Sequence, residues 1–227
     1  LGDVYKRQPL AWYETTVEED AKAAGFDTAD EYLKSMYNPR VTQYLRVTGF
    51  EKKCDGAAAV VVMPTEKAKA MGVPYAPIEV LGTGASAVEA GLLHNEHWAT
   101  KVAAKQVYDL TGVSPDEIDL FMCNDFFLAS EIVSAEECGY IPRGEAWKYA
   151  IDGRTAFDGD KPINPHGGRC NFGHAHGASG IADIVEAVKQ MRGVAGATQM
   201  KKVPETAFLR GFGGSQNVRC QILRTVA

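Results

Sequence analysis

Basic charge is in short supply in this chain. Its 24 Lys and Arg are outnumbered by 29 Asp and Glu, for a formal net charge of −5, so there is no electrostatic footprint for a nucleic acid. Long apolar runs are missing too. The longest, Ala57–Met63, has seven residues, far short of the ~20 needed to cross a bilayer. No N-terminal stretch has the charged, apolar and small-residue layout of a signal peptide. Neither nucleic acid nor a membrane is expected as a partner, and the cytoplasm is the expected compartment. The five cysteines are odd in number and form no CxxC pair, which excludes a disulfide framework and reads as free thiols. No Gly-Lys-Ser or Gly-Lys-Thr is present, which excludes a P-loop. An initiator methionine is absent as well, and Leu1–Gln8 does not flow into the residues after Gln8. Those eight residues are expected to be an artefact outside the fold.

What remains is 227 residues of ordinary globular composition, 45% hydrophobic and 23% charged. Residues 9–50 are polar and aromatic. They carry two capping boxes, Thr16-Val-Glu-Glu19 and Thr28-Ala-Asp-Glu31, and read as a covering segment without strands. From Cys54 onward the pattern alternates. Ala57–Met63 predicts a strand covered on both faces. A short helix over Glu66–Met71 comes after it, then a strand over Ile78–Leu81 ending at Gly82-Thr-Gly84. Next come a helix over Trp98–Leu110 with Val102, Ala103 and Val107 on its apolar side, a strand over Ile118–Cys123, and a helix over Phe127–Cys138. Ile181, Ile184, Val185 and Val188 recur at helical spacing up to a C-cap at Gly193. Thr206–Leu209 and Val218–Leu223 read as closing strands around a Gly211–Gly214 turn. Strands alternating with helices imply a layered α/β fold.

Asn164–Gly180 is the stretch richest in chemistry, with three of the five histidines, His166, His174 and His176, spaced among glycines just ahead of a helix. A helix N-terminus offers free N–H groups and favours negative charge, so an imidazole there suits acid–base work or the polarising of a carbonyl. Flanked by glycines, His174 reads as functional and His176 as structural. His166, Cys170, His174 and His176 lie within 11 residues, but their spacing fits no zinc pattern, and no metal is expected. Asn124, after the Ile118–Cys123 strand, reads either as a helix N-cap or as a holder of a water or oxyanion. The Gly211–Gly214 turn offers backbone N–H groups for an oxyanion hole, although taken by itself it reads as a tight hairpin.

In their order and separation these segments resemble the C-terminal part of thiolases, closest in style to the archaeal and sterol-carrier-type branches. Cys54-Asp-Gly-Ala-Ala-Ala59 resembles the family's DGAAA segment, and Asn124-Asp-Phe-Phe127 its NEAF or HDCF segment. Asn164-Pro-His-Gly-Gly168 and Gly173-His-Ala-His-Gly-Ala-Ser-Gly180 resemble NPSGG and GHPxGASG, and Gly213-Gly-Ser215 the last glycine-rich loop. The resemblance implies a thiolase-like layered fold: the end of the N-terminal domain over 51–96, then a complete C-terminal domain over 97–227 with a mixed five-stranded sheet. It implies that His174 activates the nucleophile and helps bind the thioester oxygen, that Asn124 holds a water at that site, and that the Gly213 N–H serves a second oxyanion site. It further implies a coenzyme A thioester as substrate, no separate cofactor, and a homodimer or hetero-oligomer. The family's two alternative acid/base cysteines are replaced by Gly211 and Phe126, and its nucleophilic cysteine is expected to lie outside this chain. His176, Cys123 and Cys170 are candidate auxiliaries. A thiolase-fold retro-aldolase or a non-catalytic subunit is the alternative to acyl transfer.

Overall fold

The computed structural model describes residues 18–87, 95–213 and 217–226. Seven named helices and four strands run in the order α1 (Ala29–Lys34), α2 (Thr65–Ala70), β1 (Ile78–Ala87), α3 (Asn95–Thr111), β2 (Leu120–Cys123), α4 (Leu128–Glu137), α5 (Ala146–Ile151), α6 (Gly168–Asn171), α7 (Ser179–Met191), β3 (Thr206–Gly213) and β4 (Asn217–Thr225). Among the described residues the strands form one mixed sheet, ordered β1-β4-β3-β2. β4 is antiparallel to both β1 and β3, and β2 is parallel to β3. Helices α3 and α4 cover one face and α7 the other, the layered α/β arrangement that the alternation implies.

Local chemistry explains the boundaries. Thr28 caps α1 by accepting the Glu31 N–H at 3.2 Å. Thr16, of the other capping box, lies outside the described residues; residues 18–23 are helical. Before β2, Ser114 and Glu117 cap each other reciprocally around a single 3₁₀ turn, Pro115–Glu117. β1 does not end at Gly82-Thr-Gly84 but runs through it to Ala87. A Cβ at Gly84 would lie 2.1 Å from the Ala103 carbonyl oxygen. These glycines therefore let α3 press onto the strand, rather than ending it. Gly211 and Gly213 likewise lie within β3, and the register continues to Gly213↔Asn217. Gly214 and Ser215 fall outside the described residues.

Two expectations about strands are corrected. The Ala57–Met63 run forms no strand among the described residues: Val61 is 85% and Val62 80% exposed. An apolar run becomes a buried strand only where ladders and layers meet it, and none of the described segments does so. Among the described residues the sheet has four strands rather than five, with β1 at its outer edge. Beside β2, the far edge carries a single parallel bridge, Phe121↔Ile163.

The strands alternate between two cores. Phe121, Phe208, Val218, Cys220 and Ile222 face Ala99, Ala103, Ala104 and Val107 of α3. Leu120, Met122, Leu209 and Leu223 meet Ala187 and Met191 of α7. No helix among the described residues is long and apolar enough to cross a membrane.

Candidate active site

A cavity of about 790 Å³ opens between the first turns of α7 and the ends of β3 and β4. Its wall includes His174, His176, Asp183, Gly211, Gly213 and Arg219. Gly211 and Gly213 contribute only backbone there, so a bound group can approach the main chain closely.

The histidine loop is stitched to the end of β2. Buried Asn164, with φ at 45°, accepts the Cys123 N–H at 2.9 Å and donates to the Cys123 carbonyl at 3.0 Å, which extends β2 by one side chain. Asp125 accepts the Arg169 N–H at 2.8 Å. A Cβ at Gly168, where φ is +63°, would lie 1.9 Å from that carboxylate, so only glycine fits. The His174 N–H then donates to the Lys52 carbonyl at 2.7 Å, and this backbone bond fixes where the imidazole emerges.

The His174 ring is largely buried, and both its nitrogens have neighbours. Ser179 Oγ lies 2.9 Å from Nδ1, and Glu51 Oε2 lies 3.5 Å from Nε2. Burial holds its pKa below the ordinary histidine value, helped by Arg169 and His176 and opposed by Glu51. The neutral imidazole, the form that accepts a proton, is therefore favoured at neutral pH. The His176 ring lies 4.8 Å away, centroid to centroid, and its backbone takes the left-handed conformation, φ 44°.

A buried polar cluster lies beneath. The Arg169 guanidinium donates to the Asp183 carboxylate and, at 3.0 Å, to the Ser179 carbonyl, which anchors the start of α7. His166 Nε2 is 3.8 Å from Asp183 Oδ1, too far for a hydrogen bond, and neither atom has another partner. Burial pushes Asp183 up to about 6 against the pull of Arg169. Burial, with Arg169 beside it, pushes His166 down to about 3.

His174 and Gly213 thus meet at one cavity, with His176 beside them, but Asn124 does not join its wall. The Asn124 amide donates to the Phe212 carbonyl at 3.3 Å and accepts the Phe126 N–H at 3.2 Å, so the fold uses both its ends. It is not a helix N-cap either, since Phe127 takes that position. Cys123 and Cys170, the candidate auxiliaries, are buried and do not line the cavity wall. The Cys170 thiol donates to the Asp125 carbonyl at 3.3 Å. Burial raises both thiols well above the ordinary range, disfavouring a thiolate. Among the described residues no group of His, Cys, Asp or Glu is arranged to hold a metal ion. Glu51, Arg169, Ser179 and Asp183 are the residues that sequence reasoning missed. Asp183 left a signal, a carboxylate inside an apolar helical repeat. Glu51 left none, because it sits in an irregular segment far away in the chain.

The family described as thiolase C-terminal domain-like matches residues 85–224. Among curated proteins, the benzoylsuccinyl-CoA thiolase subunit BbsB of Thauera aromatica is 35% identical over 171 residues, which is 73% of this chain and 43% of that protein. The acetyl-CoA acetyltransferase of Methanothermobacter thermautotrophicus is 34% identical over 192 residues, 81% of this chain and 49% of that protein. Sterol carrier protein 2 of Oryctolagus cuniculus is 31% identical over 153 residues, 64% of this chain and 28% of that protein. The chain spans about half the length of the first two relatives, at 43% and 49%. A solved structure named Ltp2-ChsH2(DUF35) aldolase superposes with a TM-score of 0.73 at 20% identity, covering 98% of this chain and 58% of that one.

Proposed function

This chain belongs to the thiolase superfamily, and from that premise we propose that it is the C-terminal part of an acyl-CoA C-acyltransferase. The reaction is thiolysis or Claisen condensation of a coenzyme A thioester, in the cytoplasm, with no separate cofactor. The nucleophilic cysteine comes from outside these 227 residues. Relatives named acetyl-CoA acetyltransferase and thiolase subunit support this reading. The observation that carries it is the placement of His174 in a wall shared with Gly213. An imidazole poised to accept a proton next to exposed backbone is what acyl transfer requires, because negative charge develops on a carbonyl oxygen as a thiolate attacks. A homodimer or hetero-oligomer fits the relative named as a subunit.

His174 takes the nucleophile's proton, and a Gly213 N–H stabilises the oxyanion. Asn124 acts indirectly, fixing the Phe212 carbonyl between Gly211 and Gly213. The competing reading is a lyase that cleaves a carbon–carbon bond in a CoA thioester. It draws on Gly211 and Phe126, which stand where thiolases carry an acid/base cysteine.

The deciding experiment assays the full polypeptide that carries this chain for thiolysis of acetoacetyl-CoA, with intact-mass detection of an acyl-enzyme. Acyl transfer predicts an acyl adduct on a cysteine outside the present five. It also predicts that His174→Ala lowers kcat/KM on the order of 100-fold or more. Turnover with an adduct on Cys123 or Cys170, or an indifferent His174→Ala, would overturn the assignment.

A further inference from the structure

Glu51 stands against the nitrogen of His174 that Ser179 leaves open: its Oε2 lies 3.5 Å from Nε2, and Ser179 Oγ lies 2.9 Å from Nδ1. The main chain holds the glutamate there. Its own N–H donates to the Phe126 carbonyl at 2.9 Å, and the Lys52 N–H donates to the Arg169 carbonyl at 3.1 Å. The Lys52 carbonyl in turn accepts the His174 N–H at 2.7 Å. Segment and histidine loop are thus laced together through backbone, and the carboxylate follows the imidazole. The Glu51 side chain is 22% exposed, enough to exchange protons with water. Gly211 and Phe126 occupy the two positions where a thiolase cysteine would shuttle protons, and neither side chain carries an ionisable group.

We propose that Glu51 is the proton partner of His174, a positioning residue that acts through the imidazole and takes over the missing cysteine's share of proton traffic. Its kinetic consequence rests on the acyl-transfer reading; its geometry does not. When Nε2 takes up a proton, an imidazolium forms beside a carboxylate, and the opposite charges favour it. Burial, Arg169 and His176 oppose that gain and keep the resting ring neutral, so the carboxylate offsets part of the cost of charging the ring. The proton then moves from Nε2 to Oε2, through one bridging water or once the contact closes to hydrogen-bond distance, and from Oε2 to water. Only N–H and O–H bonds break and form, no electrons are transferred, and His174 and Glu51 return to neutral imidazole and carboxylate. At 3.5 Å the contact is longer than a hydrogen bond, which leaves Nε2 open to a reacting group before the proton is passed on. Ser179 at Nδ1 keeps the exchange on Nε2.

The test compares Glu51→Gln and Glu51→Asp with the parent in the full polypeptide that carries this chain, labelled with ¹⁵N-histidine. His174 is followed through a pH titration by long-range ¹H–¹⁵N correlation, with His174→Gln to assign its signal. Removing the carboxylate in Glu51→Gln should lower the His174 pKa on the order of half to one unit, and Glu51→Asp should restore part of that shift. The limb of the kcat/KM profile set by His174 should move by the same amount, with kcat reduced on the order of 10- to 100-fold and KM nearly constant. An unmoved His174 titration in Glu51→Gln overturns the proposal. Should that variant fail to fold, an unmoved titration in Glu51→Asp does so instead. A shifted titration in a protein whose parent lacks CoA-thioester turnover leaves the Glu51–His174 pair standing and removes the acyl-transfer reading.

Discussion

The two faces of the sheet are finished to different degrees. Toward α3 and α4 the cover is apolar and closed. Phe121 stacks on Tyr140 at 5.1 Å and on Phe208 at 5.5 Å, and Tyr108 closes the stack 5.2 Å from Phe208. Toward α7 the apolar contact is small, and the helix sits with its polar side inward. Asp183, Glu186 and Gln190 are buried, while Ile181 and Ile184 stand in the cavity wall. Several of these buried polar groups find partners. Asp183 meets Arg169, and Gln190 donates to the Thr198 carbonyl at 2.8 Å and accepts the Met200 N–H at 2.9 Å. The contrast teaches that one sheet can carry a closed apolar core on one face and an open, polar-walled cavity on the other. Polar groups and open space are tolerated where the opposite face supplies the free energy.

The comparison breaks most visibly at Phe208. Phe208→Ala should cost about 3–5 kcal/mol, because it empties a fully buried position in the aromatic stack. Chemical denaturation measures this, and a loss near zero would mean that the closed face is not the stabilising one. On the other face, Arg169→Met should cost about 3–5 kcal/mol by stranding the Asp183 carboxylate. Pairing it with Asp183→Leu should recover much of that loss. A double variant as unstable as the single one would show that Arg169 acts through something other than the ion pair.

Protonation sharpens the contrast further. Asp183 is raised from the ordinary 3.8 to about 6, so its contribution is full below the unfolded value and is lost as pH rises through about 6. His166 is depressed from 6.5 to about 3, so its contribution is present above 6.5 and is lost as pH falls toward 3. Between pH 4 and 6 the two oppose each other. Replacing His166 by Gln should leave the Asp183 trend uncovered. The stability of the parent relative to that variant should then rise with pH across this window, by at most about 1.4 kcal/mol per unit. Urea midpoints at three pH values would test the sign. The smallest effect is expected at His176. Its left-handed backbone, φ 44°, should make His176→Gly neutral to stabilising by up to about 1 kcal/mol. Its activity loss should be milder than that of His174→Ala. If the His176 change were the more damaging in kinetics, the two histidines would have to exchange roles.

The longer helices were legible because their signals are local, whereas the short α5 and α6 carry no apolar repeat and were not read. The repeat of Ile181, Ile184, Val185 and Val188 marks α7 between Ser179 and Met191, and Thr28 caps α1 as its capping box implies. The side on which α7 is buried was not legible, because Arg169 and Thr198, which draw its polar residues inward, come from other segments. Glycine was ambiguous for the same reason. Gly82-Thr-Gly84 reads as a strand end in isolation but lies within a strand against which α3 packs.

The sequence alone determined the layered α/β class, the longer helices with the Thr28 cap, and the ordered motifs that carry the thiolase resemblance. All of these rest on periodicity, spacing or neighbouring residues. Only the tertiary structure decided that Asn124 spends its amide on the Phe212 and Phe126 backbone, that Cys123 and Cys170 are buried away from the cavity, and that Glu51 meets His174 from 123 positions away in the chain. The physical reason is that burial, hydrogen-bond partners and the charge around an imidazole are set by what the fold brings alongside. No local pattern encodes a partner so distant in sequence.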